Sequence, residues 1–436
     1  MKIKTKKIPF DKVEKIKRPK HFNPVKPNIF FRTLIRVLSQ KDLMATKFTY
    51  TKTDMKKAGD EPCLILMNHS SFLDFEIAYK ILYPKPFCVV ATTDAFVGKG
   101  WLMRLIGCIP TQKFVNDVTL ITDIEYALKK LKISVLMYPE AGYSFDGCAT
   151  SLPRGLGRLL KKLDVPVVSI HTDGVFLHQP LYNCLKKRKI KATADISCIL
   201  SKDEVREKTV QELDDVLEKT FTFDSFAWQY KNKVEITEPY RADGLNRILY
   251  KCASCLTEGK MEGKGTVLKC HHCGKEYELD KYGRLNALNG ETEFSHIPDW
   301  YNWEKECVRK EIADGTYKLD TEVDICVLVD YKALYSIGEG RLTHDKNGFR
   351  LIGCDGKLEY TQKPLVSHSL NSDYYWYEIG DIISIGNRET LYYCFPKGNN
   401  VDVVAKTRIA AEEIYRLIRP KRAPKTTVSE EQKQGV

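Results

Sequence analysis

His69 and Asp74 are the residues in this sequence whose types and spacing are best suited to chemistry. They lie in the segment LMNHSSFLDF, directly after an apolar run. Residues five positions apart do not share one helical face, so we expect His69 in a strand-end loop and Asp74 in the first turn of the next helix. There the carboxylate can orient the imidazole and leave its other nitrogen free as a general base. By itself, such a pair is also common as a structural contact.

Four cysteines form a second constellation with the spacing C-x2-C-x14-C-x2-C. The cysteines are Cys252, Cys255, Cys270 and Cys273. Each C-x2-C pair places two thiolates on a tight turn, and two such turns complete the tetrahedron of a Zn²⁺ site. Four thiolates leave no open coordination position, so the metal is expected to be structural. A disulfide is the weaker alternative, and His271 or His272 is a substitute ligand in a further one.

The elements that position His69 and Asp74 are predicted by apolar runs that alternate with helical patterns. Strands are predicted at 63–68, 87–91, 134–139, 166–170 and 196–200, and helices at 73–82, 99–106, 119–131 and 155–163. Near-continuous apolar strands predict an α/β core whose sheet is covered on both faces. Residues 201–228 keep a helical rhythm and are predicted to form one helix that closes the domain.

Three further blocks follow the segment that contains His69 and Asp74. In chain order the four are NHSSFLD at 68–74, GCIPTQK at 107–113, YPEAGYS at 138–144 and VPVVSI at 165–170. In this order and spacing the chain resembles the glycerolipid acyltransferase family, best known for the 1-acylglycerol-3-phosphate acyltransferases. The resemblance implies an O-acyltransferase of phospholipid biosynthesis. Its donor would be acyl-CoA or acyl carrier protein, and its acceptor a lysophospholipid hydroxyl, with 1-acyl-sn-glycerol-3-phosphate as the leading candidate.

The resemblance also implies roles for individual residues. His69 would be the catalytic base and Asp74 its orienting carboxylate. Lys113 stands where the family usually has an Arg that binds the acceptor's phosphate, and Tyr143 replaces a second Arg of the family pattern F-P-E-G-T-R-S. Arg154 could restore a cation at the start of a helix, or these cations could be ordinary surface residues. The predicted substrate-binding residues are Lys113, Glu140, Gly142, Ser144 and Arg154.

Composition shifts divide the chain into five parts. These are a basic N-terminal segment at 1–27, an acyltransferase domain at 28–235, a zinc ribbon at 245–290, a β-rich domain at 310–420 and a flexible tail at 421–436. Short strands and a final helix give the β-rich domain an architectural resemblance to a pleckstrin-homology domain. We expect it to bind a membrane or a partner, and intramolecular packing onto the enzyme is the alternative.

The charge distribution and one amphipathic segment indicate a membrane surface as a partner. The net charge is +12, with basic runs at residues 1–20 and 416–425. This field attracts anionic lipids or an acidic carrier protein. Residues 28–38 are amphipathic and could either insert at a bilayer interface or pack against the protein's own core. Acidic neighbours of Tyr277 and Tyr282 disfavour nucleic acid. No secretory signal and no spanning segment is found, so we expect a cytoplasmic protein, peripheral on the cytoplasmic face of the membrane.

A function of another class is left open by the altered third block. Because Tyr143 stands where the family has an Arg, the chain could instead be a membrane-associated scaffold or binding protein built on a diverged acyltransferase fold. In that case the basic segments, the amphipathic segment, the ribbon and the β-rich domain would tether partners, or the basic segments would simply be solvated tails. Acyl transfer by the purified protein separates the two interpretations.

Overall fold

The computed structural model describes residues 2–115, 117–398 and 403–419. The predicted flexible tail at 421–436 and the end of the second basic run lie outside these residues. The strands, in chain order, are β1 (Thr5–Lys7), β2 (Thr49–Thr53), β3 (Leu64–Met67), β4 (Phe87–Thr92), β5 (Cys108–Thr111), β6 (Ser134–Met137), β7 (Val167–Asp173), β8 (Thr193–Leu200), β9 (Met261–Lys264), β10 (Val267–Cys270), β11 (Glu276–Leu279), β12 (Leu285–Ala287), β13 (Leu319–Leu328), β14 (Leu334–Asp345), β15 (Gly348–Gly353), β16 (Leu358–Gln362), β17 (Asn371–Trp376), β18 (Gly380–Gly386) and β19 (Leu391–Pro396).

The helices surround a mixed sheet in the first half of the chain and flank the small sheets in the second. They are α1 (Phe10–Val13), α2 (Ile29–Leu38), α3 (Gln40–Ala45), α4 (Leu73–Leu82), α5 (Gly100–Leu105), α6 (Val118–Lys129), α7 (Leu156–Leu163), α8 (Val175–His178), α9 (Lys202–Glu207), α10 (Val210–Thr220), α11 (Ser225–Lys231), α12 (Ile297–Ala313) and α13 (Val403–Ile418). Within the described ranges, no helix is both long and apolar enough to cross a bilayer.

The first sheet has the order β2-β8-β7-β3-β6-β4-β5 and is parallel except where β8 meets β7. In the central strand β3 all four residues are buried, with Ile65 and Met67 in one apolar cluster and Leu64 and Leu66 in another on the opposite face. The predicted α/β core with a sheet covered on both faces is therefore confirmed. The edge strand β2 was not predicted because its sequence, TYTKT, is polar and all five residues are exposed.

The prediction of one helix over 201–228 is wrong, since the structure has α9, α10 and α11 there. The first two helices each begin with a capping box, formed by Ser201 with Glu204 and by Thr209 with Glu212. Asp224 then caps α11 by accepting a hydrogen bond from the amide of Ala227. Because a capping side chain satisfies the free amides of a first turn, each one starts a new helix where the apolar rhythm alone predicts continuity.

Two further sheets follow the core. Strands β12-β11-β10-β9 form an antiparallel sheet beside the cysteine cluster. Strands β16-β15-β14-β13-β19-β18-β17 form the β-rich C-terminal domain, and the predicted final helix follows them as α13. Val403, Val404 and Ala405 form the first turn of this helix and are buried.

Part of the basic N-terminal segment is folded onto the β-rich domain. Strand β1 pairs in parallel with β14 of the β-rich domain, with Thr5 opposite Leu334. Val13 of α1 is buried, and Arg18 donates a hydrogen bond of 3.2 Å to the hydroxyl of Thr390. The basic side chains of this segment therefore lie at the surface of the β-rich domain.

Replacing Thr209 by Ala is expected to lower the free energy of unfolding by about 1 kcal/mol, because the helix loses the hydroxyl that caps α10. Thr209→Ser keeps a capping hydroxyl and is the matched control. Urea unfolding followed by circular dichroism measures both variants. Equal stability of Thr209→Ala and the unmodified protein would contradict a stabilising role for this cap.

Candidate active site

The loop after β3 is fixed by a side chain that reaches the neighbouring strand. Asn68 Oδ1 accepts hydrogen bonds from the amide and the hydroxyl of Thr172, at 2.8 and 3.1 Å, and its amide nitrogen donates to the Thr172 carbonyl oxygen at 3.1 Å. Both residues are buried. These hydrogen bonds fix the path of the chain as it leaves β3. His69 follows directly, at the carboxyl end of a central strand, where α/β folds commonly place functional groups.

His69 and Asp74 make the contact that their spacing predicts. His69 Nδ1 lies 2.9 Å from Asp74 Oδ2, and Asp74 stands in the first turn of α4 and is fully buried. The same carboxylate oxygen accepts hydrogen bonds from the amides of Ser70 and Ser71, at 2.7 and 3.0 Å. With Nδ1 held by the carboxylate, Nε2 is the nitrogen left to exchange a proton with a ligand.

Two tyrosines stack on His69. The ring centroid of Tyr138 is 3.9 Å from that of the imidazole, with 22° between the planes, and the ring of Tyr143 is 4.0 Å away at 28°. Two rings cannot share one face at these distances, so they cover opposite faces. The His69 side chain is 16% exposed. Only the edge of the imidazole is thus open to a substrate.

Glu140 and Ser144 hold the third block in shape. Glu140 Oε1 accepts a hydrogen bond of 3.2 Å from the His69 amide, and Oε2 accepts from the amide and hydroxyl of Thr150, at 3.0 and 2.9 Å. Ser144 donates from its hydroxyl to the Cys148 carbonyl oxygen at 2.6 Å. Both side chains are buried in contacts within the protein, so each braces the loop beside His69.

The other predicted binding residues differ in their distance from His69. The Lys113 ammonium lies 5.3 Å from the centroid of the Tyr143 ring. Because this ring stacks on His69, the charge of Lys113 is separated from the imidazole by the Tyr143 ring. Gly142 adjoins Tyr143, and a Cβ there would be 3.4 Å from the Phe114 ring. Arg154 is exposed and lines a separate pocket with Asp214 and Glu218. The structure therefore groups Lys113 and Gly142 with His69 and places Arg154 elsewhere.

The β-rich domain packs onto the third block, as in the alternative that the sequence left open, although nothing in the sequence indicated the individual contacts. Arg408 of α13 donates a hydrogen bond of 3.0 Å to the Tyr143 carbonyl oxygen, and its guanidinium lies 4.3 Å from the Phe145 ring centroid. Tyr374 of β17 packs on the same Phe145 ring at 4.7 Å. These residues lie more than 200 positions from the third block, and no short motif links such distant segments.

Burial shifts the pKa of several groups around the site. Burial lowers the pKa of His69 below its ordinary value, although Asp74 opposes this effect. Burial raises the pKa of Glu140 to about 7 and that of Asp373, in β17, to about 6, while Lys113 acts to lower the latter. An imidazole whose pKa lies below its ordinary value is uncharged at neutral pH and can therefore accept a proton. The site thus combines a neutral imidazole with a nearby cation.

The four cysteines of the second constellation converge. The sulfur atoms of Cys252, Cys255, Cys270 and Cys273 all lie within 4.8 Å of one another. Two of the separations are 3.8 Å, between Cys252 and Cys273, and 3.7 Å, between Cys255 and Cys270. Tetrahedral coordination with metal–sulfur bonds of about 2.3 Å separates the sulfurs by about 3.8 Å. The donor set therefore fits a four-coordinate thiolate metal site.

Comparison with known proteins finds a family match over the part of the chain that contains His69 and Asp74. Residues 47–172 match the family described as Acyltransferase. The chain is 25% identical over 187 residues to a chloroplastic 1-acyl-sn-glycerol-3-phosphate acyltransferase of Brassica napus, an alignment that covers 38% of this chain and 52% of the relative. It is 27% identical over 173 residues to a chloroplastic 1-acyl-sn-glycerol-3-phosphate acyltransferase of Arabidopsis thaliana, covering 36% of this chain and 46% of the relative.

This chain thus spans about half the length of these curated relatives. Among solved structures, the 1-acyl-sn-glycerophosphate acyltransferase PlsC of Thermotoga maritima aligns with a TM-score of 0.32 and 15% identity, over 44% of this chain and 79% of that chain. The family match includes both His69 and Asp74. The residues that match the family, 47–172, make up less than a third of the chain.

Proposed function

We propose that this protein transfers a fatty acyl group from acyl-CoA or acyl carrier protein to the hydroxyl of a lysophospholipid in phospholipid biosynthesis. The leading acceptor is 1-acyl-sn-glycerol-3-phosphate, after which both plant relatives are also named. The observation that carries the proposal is the contact between His69 Nδ1 and buried Asp74, within an acyltransferase domain, with one edge of the imidazole open.

In the proposed reaction, His69 Nε2 takes the proton of the acceptor hydroxyl as its oxygen attacks the thioester carbonyl carbon. The tetrahedral intermediate collapses, the carbon–sulfur bond breaks, and the leaving thiolate takes the proton back from the imidazolium. The products are an ester and a free thiol, and no redox partner is needed. Asp74 stabilises the transient imidazolium and fixes its tautomer, because its Oδ2 faces Nδ1.

Lys113 is the residue that supports a phosphate-bearing acceptor. Its ammonium lies beside Tyr143 and therefore close to His69. Tyr143 offers a phosphate one uncharged hydrogen bond where the family Arg would offer a bidentate ion pair. Arg154 lies in a separate pocket, so the proposed phosphate contact depends on Lys113.

His69→Ala is expected to reduce acyl transfer by at least a hundredfold, because no other group replaces the base. Asp74→Asn is expected to reduce kcat strongly through the wrong imidazole tautomer. In the unmodified protein, kcat/KM should rise with pH as His69 loses its proton, with a midpoint below the ordinary value of 6.5. Mass spectrometry of the product lipid, with labelled acyl-CoA and acyl carrier protein, measures all three.

His171→Ala is the matched control. His171 is on β7 and lies 3.6 Å from Asp173, so this change also removes a histidine from an acid–histidine pair of the same sheet. Its activity should stay near that of the unmodified protein. Full activity of His69→Ala would overturn the proposed chemistry. Absence of transfer to every lysolipid tested would favour the non-catalytic scaffold.

We further propose that the four clustered cysteines bind one structural Zn²⁺. The sulfur separations match tetrahedral coordination, and four thiolates leave no position for a substrate. Bound zinc would cross-link the turn at Cys252–Cys255 to the turn at Cys270–Cys273. These turns lie next to α12, where Trp300 donates a hydrogen bond of 3.0 Å to the Lys251 carbonyl oxygen.

Elemental analysis of purified protein is expected to find one zinc per chain, and Cys270→Ala is expected to remove it and lower the unfolding temperature. Cys354→Ala replaces a half-buried thiol outside the cluster and should keep both the zinc and the unfolding temperature. A metal-free unmodified protein with an unchanged unfolding temperature after treatment with a chelator would contradict the proposal.

An apolar surface next to the site supports membrane binding. We call the exposed residues of α2, α3 and α5 the apolar patch: Ile29, Phe30, Leu34, Val37, Leu38, Met44, Trp101 and Leu105. The Asn28 amide donates a hydrogen bond of 2.9 Å to the Leu105 carbonyl oxygen, and Phe31 contacts Trp101, so the helices form one surface. Arg32 does not contribute charge to it, since it is buried and donates to the Pro84 carbonyl oxygen at 2.6 Å.

Replacing Phe30 and Val37 by Ser is expected to weaken binding to vesicles that contain anionic lipid by at least about tenfold, because two apolar side chains no longer enter the interface. Cosedimentation with vesicles of phosphatidylglycerol and phosphatidylcholine measures the change. Leu288→Ser removes an equally exposed apolar side chain outside the patch and is the control. Equal binding by all three proteins would show that the patch does not bind lipid.

A further inference from the structure

Arg408 is buried at the boundary between the β-rich domain and the acyltransferase domain. It is 4% exposed, and its guanidinium contacts the Tyr143 carbonyl oxygen at 3.0 Å, Glu412 Oε1 at 3.3 Å and the Phe145 ring at 4.3 Å. Glu412 is itself fixed, because it accepts a hydrogen bond of 2.5 Å from the Ser369 hydroxyl. A buried cation is stable only with such partners, so its position is tightly determined.

Tyr143 is the residue through which this arrangement reaches His69. It lies in an irregular segment after β6, in which Ala141 has a positive φ of 57°. Tyr138 directly follows β6 and is held by the sheet. The backbone of Tyr143 lies outside the sheet, and its carbonyl oxygen accepts the hydrogen bond from Arg408. Of the two rings that stack on His69, one directly follows a strand of the core and the other is held at its backbone by a contact with α13.

We propose that Arg408 is a positioning residue for His69, and that it acts by holding the Tyr143 ring against the imidazole. The proposal rests on the proposed function for its effect on catalysis, but the geometry it describes exists without substrate. It makes the β-rich domain part of the catalytic unit. A cation of α13 thereby contributes to the site, whereas the third block has Tyr143 in place of the Arg of the family pattern.

Arg408→Lys is the first test, because lysine keeps the charge beside Glu412 but loses the guanidinium fork. Arg416→Lys is the matched control: Arg416 is on the same helix, is half exposed, and donates to the Ser151 hydroxyl at 2.7 Å and to Glu413 at 2.7 Å. Both changes alter a contact of α13, but only the first alters one with Tyr143.

The first readout is the pKa of His69, measured by nuclear magnetic resonance on histidine-labelled protein with His69→Gln for assignment. Burial lowers this pKa, so a looser Tyr143 ring is expected to raise it in Arg408→Lys. This variant does not change the other charged and titratable groups around His69 and its covering ring: Asp74, Asp94, Lys113, Tyr138, Glu140 and Asp373. Arg416→Lys should keep the value of the unmodified protein.

The second readout is the pH profile of acyl transfer. In Arg408→Lys the rising limb of kcat/KM should move to higher pH together with the pKa of His69. At neutral pH, kcat should fall by roughly ten- to a hundredfold, the range produced by a small misplacement of a catalytic group. A purely structural loss would lower the unfolding temperature without moving the profile.

Variants of Tyr143 separate action through the ring from other effects of Arg408. Tyr143→Leu removes the ring and is expected to raise the pKa of His69 as Arg408→Lys does, whereas Tyr143→Phe keeps the ring and should preserve it. The double variant Arg408→Lys/Tyr143→Leu should shift no further than either single variant. Fully additive shifts would overturn the proposal, as would an unchanged His69 pKa in folded Arg408→Lys.

Glu412→Gln provides a second route if Arg408→Lys does not fold. It weakens the partner that holds the guanidinium, so it should raise the pKa of His69 in the same direction, and an unchanged pKa would reject the proposal. Because the resonance measurement needs no turnover, an inactive wild-type protein with the expected pKa shifts would refute the proposed function alone. An active enzyme in which the pKa of His69 is unchanged in both Arg408→Lys and Glu412→Gln would refute only the positioning role.

Discussion

The burial of one carboxylate oxygen determines the geometry of the site. Asp74 Oδ2 is removed from water, and a buried carboxylate oxygen needs hydrogen-bond donors in place of its hydration. Its donors are the amides of Ser70 and Ser71 and the imidazole of His69. To provide them, the chain must turn tightly between the end of β3 and the start of α4. The turn that satisfies the carboxylate is thus the turn that orients the base.

The aromatic rings add a second constraint, because they limit the access of water to the imidazole. An imidazole whose faces are both covered exchanges protons only through its edge, and its charged form is disfavoured by the same burial. A site closed in this way favours an organised acceptor hydroxyl over bulk water as the nucleophile. The structural contribution of Tyr143 therefore differs from that of the Arg in the family pattern, which offers charge to a phosphate.

Elements with a local signal could be predicted from the sequence. The apolar strands of the core, the helix that carries Asp74 and the paired cysteines follow from periodicity and spacing, and the structure contains them. The capping signal at Thr209 is just as local, but the apolar rhythm of residues 201–228 runs through it and therefore predicted one continuous helix. The contact between Arg408 and Tyr143 could not be predicted, because it is decided by how two domains pack.

The N-terminal strand has a consequence for how the protein is made. Since β1 completes a sheet whose other strands begin with β13, Thr5 leaves the ribosome long before its neighbour Leu334 exists. The α/β core and the four-cysteine sheet both lie between these two segments in the chain. A cut after the core would therefore leave the β-rich sheet without β1, the strand that pairs with β14.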